Sequence, residues 1–88
     1  GGLVAYALTK AAVAGLTLAL AEEAGPRGVW VNAVVPSIMN TPANVAAMPD
    51  ADHSAWPTTD DVAATIGFLA SPLNRVTRGA LVPVYGRS

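Results

Sequence analysis

The sequence predicts an α/β fold, the back part of a doubly wound parallel sheet. Three observations carry this. An Ala- and Leu-rich helical pattern over residues 4–24 runs into a β-rich apolar segment, "VWVNAVV", at residues 29–35. A second helical pattern after residue 58 runs into a second β-rich segment, "GALVPVYG", at residues 79–86. A helix between two apolar strands implies parallel pairing through a right-handed crossover. Two strands alone do not make a stable sheet, so these 88 residues are expected to be the C-terminal segment of a longer single domain.

The first helix has no proline and stops at "GPRG", residues 25–28. Val13, Leu16 and Leu20 form one stripe at helical spacing, and Leu8, Thr9 and Ala12 begin another. Apolar and small residues surround nearly its whole circumference, which predicts burial on more than one side. The strand at residues 29–35 is apolar on both faces, as a buried parallel strand reads, and Pro36 ends it. Residues 37–57 are irregular, with a short helix expected around residues 44–48; a loop so long points to function. "TTDD" starts the next helix, with Thr58 capping the amide of Asp61. Val62, Ile66 and Leu69 should form its buried stripe up to Pro72. Pro83 costs the final strand a ladder donor and places it at an edge.

Composition narrows the classes. Hydrophobic residues make up 52% and charged residues 12%, against about 25% charged in an average soluble domain. More of the protein, a partner subunit, or both are therefore expected to cover this surface. The net charge of −1 and scattered arginines offer no nucleic-acid face. The absence of cysteine excludes a disulfide framework and fits a reducing compartment, so the expected location is cytoplasmic. Lys10 followed by "AAVAGLTLALA" has the outline of a secretory signal. That run is too short to span a bilayer, and its helical pattern continues through Glu22 and Glu23, so no membrane role is expected.

Tyr6 and Lys10 stand out. Lys10 is the only lysine, and it lies four residues after Tyr6 on the apolar helix. Residues so spaced share a helix face, roughly 6 Å apart. A phenol has an ordinary pKa near 10; a nearby ammonium favours the phenolate and makes the phenol a usable acid or base. A surface contact worth a few tenths of a kcal/mol is the plain alternative. The uniqueness of Lys10 and the cost of a charge among apolar residues weigh against it.

The stretch "YALTKAAVAGLTLALAEEAGPRGVWVNAVVPSIMNTP" resembles the short-chain dehydrogenase/reductase family, and "DDVAATIGFLAS…VTRGALVPVYG" resembles that family's last helix and strand. The resemblance implies a Rossmann-like domain. Tyr6 and Lys10 match the family's Tyr-x-x-x-Lys pair, Val31-Asn32 its strand, Pro36 its Pro-Gly, and Thr41 its threonine. It implies that Tyr6 exchanges a proton with the substrate oxygen, and that Lys10 lowers the Tyr6 pKa and bonds the ribose of NAD or NADP. Pro36, Ser37 and Met39 would set backbone groups against the nicotinamide carboxamide, and Thr41 would donate its hydroxyl to the cofactor. The substrate would be a small-molecule carbonyl or alcohol, and the assembly a homodimer or homotetramer. No metal is implied.

Three departures stand in the sequence. Ser37 replaces the family glycine and would be strained at a positive φ. Trp30 replaces a common arginine, and Tyr85-Gly86-Arg87 replaces Asp-Gly-Gly. The Gly-rich phosphate loop, the catalytic serine and the relay asparagine of the family are expected ahead of Gly1, so this segment alone is expected to be inactive. Two alternatives stay open: a truncated, non-catalytic interaction module, and an epimerase or dehydratase of the same family. The residues encoded upstream of Gly1 would separate the first of these from an enzyme.

Among the rest, His53 reads as solvated and Trp56 as packing at a helix start. Met39 and Met48 line a pocket or fill core. Glu22-Glu23 and Asp60-Asp61 read as solvated helix ends, and Asn32 as bonding neighbouring backbone.

Overall fold

The computed structural model describes residues 2–88; Gly1 lies outside the described residues. The elements are α1 (Gly2–Ala24), a 3-10 turn (Gly25–Arg27), β1 (Ala33–Pro36), α2 (Pro42–Ala47), a 3-10 turn (His53–Ala55), α3 (Thr59–Leu69) and β2 (Leu81–Val84). β1 and β2 pair in a two-stranded sheet. Gly79 N–H donates to the Val31 carbonyl at 2.8 Å and Ala33 N–H to the Ala80 carbonyl at 3.0 Å, so the register advances in the same sense along both segments. This is the expected parallel α/β arrangement. The chain divides into two units, one holding the residues up to Ala33 with Arg75–Leu81, the other Val34–Asn74 with Val82–Ser88.

In the first unit, α1 ends where the sequence says it must. Gly28 takes a left-handed φ of 77° and returns its N–H to the Gly25 carbonyl. Val29 N–H still reaches the Ala24 carbonyl. The strand begins only at Ala33, so β1 is shorter than the expected residues 29–35 at its start. Val29 belongs to the helix cap. At Asn32 a side chain replaces the ladder: Oδ1 accepts from Ala80 N–H at 3.0 Å, while Nδ2 donates to the Thr77 carbonyl at 3.0 Å. Arg78 fastens the end of α1, donating to the Ala21 carbonyl at 3.1 Å and lying 3.6 Å from Glu22.

Burial on several sides of α1 is not what the described residues supply. Only Thr17 and Ala21 are buried, and Leu3, Leu8, Val13, Leu16 and Leu18 are exposed. One short pair of segments can cover only one stripe of a helix. The helix is also longer than the apolar run after Lys10. Residues 2–27 are, by length and composition alone, long and apolar enough to cross a bilayer. The run of residues 11–21 falls short only because it omits Leu3, Val4 and Leu8. Core helices of soluble folds satisfy the same measure.

In the second unit, α3 begins with the expected capping box. Thr58 Oγ1 accepts from Asp61 N–H at 3.0 Å, and Thr58 N–H donates to Asp61 Oδ2 at 3.2 Å. Of its expected stripe, Val62 is buried, Leu69 is half-buried and Ile66 is 49% exposed. Ile66 is bare because nothing in this unit packs on that side of the helix. α2 starts two residues earlier than expected, since Pro42 supplies a first helical residue that needs no N–H partner. Trp56 is buried and packs against the His53 ring, with centroids 4.7 Å apart. His53 is accordingly not a solvated side chain: it is half-buried, and its Nε2 lies 2.6 Å from the Met48 carbonyl.

Candidate active site

Tyr6 and Lys10 lie in the first unit, one turn apart on α1. The ammonium of Lys10 stands 5.3 Å from the centroid of the Tyr6 ring. The helix dictates this contact, because side chains four residues apart project from one face. Within these 88 residues Tyr6 is 62% exposed. Among the described residues the ion pair is that of Arg78 with Glu22, and Lys10 forms none. Its three donors are not consumed by a carboxylate.

Pro36, Ser37, Met39 and Thr41 lie in the second unit. Pro36 closes β1. Ser37 is not strained: no non-glycine residue among the described residues has a positive φ. Its hydroxyl instead bonds the Tyr85 carbonyl at 3.3 Å and the Ser88 hydroxyl. Where the resemblance led us to expect strain, the serine ties this turn to the segment after β2. Gly86 takes φ 61° there, and a Cβ on it would stand 2.9 Å from the Ala55 carbonyl, so this position needs glycine.

Thr41 is the N-cap of α2. Proline at residue 42 holds it extended, at φ −125° and ψ 155°. Its Oγ1 accepts from Asn44 N–H at 3.2 Å. A hydroxyl has one proton and two lone pairs, so the cap occupies a lone pair and leaves the O–H to donate. The donor that the resemblance assigns to Thr41 is therefore compatible with its capping role. Met39 is half-buried, and its carbonyl accepts from Asn44 Nδ2 at 2.9 Å. Asn44 was not among the residues singled out from the sequence. Thr-Pro is a helix-start signal that sets the backbone N–H of residue 44 beside the capping oxygen, but that contact does not single out an asparagine there.

A separate hollow of about 620 Å³ opens in the second unit, lined by Ser54, Trp56, Asp61, Thr65, Tyr85 and Arg87 among others. None of Pro36, Ser37, Met39 and Thr41 lines it. Arg87 is held there by the Ser54 carbonyl at 3.2 Å and the Ser54 hydroxyl at 3.3 Å. Asp52 accepts from the Ser54 hydroxyl and N–H, and these bonds hold its carboxyl below the usual range. Among the described residues no group of histidine, cysteine, aspartate or glutamate could hold a metal ion.

Residues 1–86 match the family model described as enoyl-(acyl carrier protein) reductase. The chain is 36% identical to a cyclohexanol dehydrogenase of Rhodococcus sp. (strain TK6), over 98% of this chain and 35% of that protein. Two solved structures are similar. One is a Serratia marcescens short-chain dehydrogenase/reductase variant, at TM-score 0.79 and 31% identity, over 99% of this chain and 38% of that one. The other is ElxO with NADP bound, at TM-score 0.80 and 32% identity, over 94% of this chain and 38% of that one. The chain thus spans little more than a third of the proteins it resembles.

Proposed function

The chain belongs to the short-chain dehydrogenase/reductase family, and from that premise we propose that the whole protein is an oxidoreductase for a small-molecule alcohol or carbonyl, using NAD or NADP. The observation that carries this reading is the Lys10 ammonium 5.3 Å from the Tyr6 ring on one exposed helix face. A bound nicotinamide supplies or accepts the hydride. Tyr6 gives a proton to the substrate oxygen in reduction and takes it back in oxidation. Lys10 stabilises the phenolate by its charge and offers its remaining donors to a ribose hydroxyl. The Thr41 O–H and the backbone of Pro36, Ser37 and Met39 serve the carboxamide end.

Each unit offers a donor of the kind a dinucleotide takes: in the first, an ammonium with no ion pair among the described residues; in the second, a hydroxyl whose proton is not used by its cap. These 88 residues hold no Gly-rich turn to cradle a pyrophosphate, so by themselves they are inactive in this proposal. The protein works in the cytoplasm, as a homodimer or homotetramer.

The test is a screen of the whole protein against small alcohols and carbonyls with both dinucleotides, followed by absorbance at the nicotinamide band. Turnover with either dinucleotide is expected. A whole protein that binds neither and turns over nothing would leave the chain a docking module.

A further inference from the structure

Residues 37–41 form an irregular turn, yet one peptide within it is held at both ends. The carbonyl of the Met39–Asn40 peptide accepts from Asn44 Nδ2 at 2.9 Å. The N–H of the same peptide donates to the Pro57 carbonyl at 2.9 Å. In a planar trans peptide these two groups point in opposite directions. Bonds at both ends therefore stop the plane from rotating. The bond to Pro57 belongs to a parallel bridge between Asn40 and Thr58.

Asn44 does more than hold Met39. Its backbone N–H donates to Thr41 Oγ1 at 3.2 Å. One half-buried residue thus touches both Met39 and Thr41. A carbonyl can only accept, so the amide NH2 is the group that must face Met39.

We infer that Asn44 is a positioning residue: with the Pro57 carbonyl it sets the Met39–Asn40 peptide plane, and so aims the Met39 backbone and the Thr41 hydroxyl at the nicotinamide dinucleotide. The inference rests on the reading of Met39 and Thr41 given above. Asn44 acts through these two residues and not by touching the dinucleotide. Its loss leaves the peptide held at one end only, by the Pro57 carbonyl, so part of each binding event goes into ordering it.

The experiment uses the whole protein, as wild type and as Asn44→Asp. The aspartate keeps the shape but sets an oxygen against the Met39 carbonyl. Fluorescence titration with NADH and NADPH gives Kd, and steady-state rates give KM for the dinucleotide and kcat at saturation. Asn44→Asp is expected to raise Kd and KM roughly two- to tenfold, as the loss of one hydrogen bond would, with kcat at saturation kept within about twofold. A residue that only supports the fold would lower the active fraction and leave Kd unchanged. Unaltered Kd and KM in folded Asn44→Asp overturns the inference alone. A wild type that binds neither dinucleotide overturns the functional reading, and the inference with it. Should Asn44→Asp fail to fold, Asn44→Ala removes the same donor without adding charge and carries the same expectation.

Discussion

The Lys10 ammonium faces the ring of Tyr6 at 5.3 Å. An exposed cation over an aromatic ring is worth about 0.5–1 kcal/mol, too little to explain a lone lysine on an apolar helix. Proton transfer at the phenol explains it better. In the whole protein, Tyr6→Phe should keep dinucleotide binding and lower kcat by roughly 10²- to 10⁴-fold, the usual contribution of a positioned acid or base. Lys10→Met should be worse, because it removes both the charge beside the phenol and a ribose contact. Stopped assays and dinucleotide titration check both. An unchanged kcat in Tyr6→Phe removes Tyr6 from the chemistry.

Asn32 holds the two segments of the first unit together by a side chain. It donates to the Thr77 carbonyl and accepts from Ala80 N–H, both at 3.0 Å. Asn32→Leu fits the apolar strand but leaves two backbone groups without this partner. It should cost about 2–3 kcal/mol, read as a lower urea midpoint. Asn32→Asp keeps the acceptor and loses the donor, so its cost should be smaller. Equal stability of wild type and Asn32→Leu would show that the surroundings replace both bonds.

How much of this was legible depended on how local the cause is. The Thr58–Asp61 capping box could be read directly, because both partners lie within one turn. The end of α1 at Gly25-Pro26 could be read for the same reason. β1 came out shorter than its apolar run because Asn32 diverts a ladder bond to a partner far along the chain, at Ala80. Ile66 has the right spacing for burial, but spacing cannot say whether a layer is present to cover it. Ser37 would strain or shift its turn only at a positive φ, which it does not have; its partner, Tyr85, lies 48 residues away. Helical spacing alone brings Tyr6 and Lys10 to one face of α1, while the weight given to the pair comes from the uniqueness of Lys10 and the family resemblance. Asn44 was missed because its amide partner is a backbone carbonyl whose direction only the folded turn sets.

The capping box also predicts a pH effect. The Thr58 hydroxyl and backbone N–H hold the Asp61 carboxyl below the ordinary value of 3.8. The ionised form is thus favoured in the folded state. The resulting stabilisation is present above the unfolded-state pKa and is lost as pH falls through the folded one. Asp52, lowered by Ser54, acts with the same sign. Chemical denaturation between about pH 5 and 3 should show stability falling, and less steeply in Asp61→Asn. An identical slope in the variant would place the acid sensitivity elsewhere. Thr58→Ala, which removes the cap itself, should cost about 1 kcal/mol at neutral pH.

The outer side of α1 carries the last prediction. Val13 and Leu18 are 51% and 49% exposed, and Leu3, Leu8 and Leu16 are barer still. These residues do not lie on one stripe, so a single layer of the same fold cannot cover them all. Fully burying a leucine side chain is worth roughly 1.5–3 kcal/mol, which makes a wet helix of this composition both costly and adhesive. Ala7, Ala11, Ala14 and Gly15 would let a second helix approach closely. One side is expected to meet the rest of the domain and the other a second copy of the protein. The two cases separate by mutation. A glutamate on the domain side should unfold the protein; one on the subunit side should leave it folded and dissociate it. We therefore expect one of Val13→Glu and Leu18→Glu to sediment as a folded monomer where the wild type sediments as a dimer or tetramer. A wild type that is a stable monomer at micromolar concentration would sink the proposal and assign the whole circumference of α1 to its own chain.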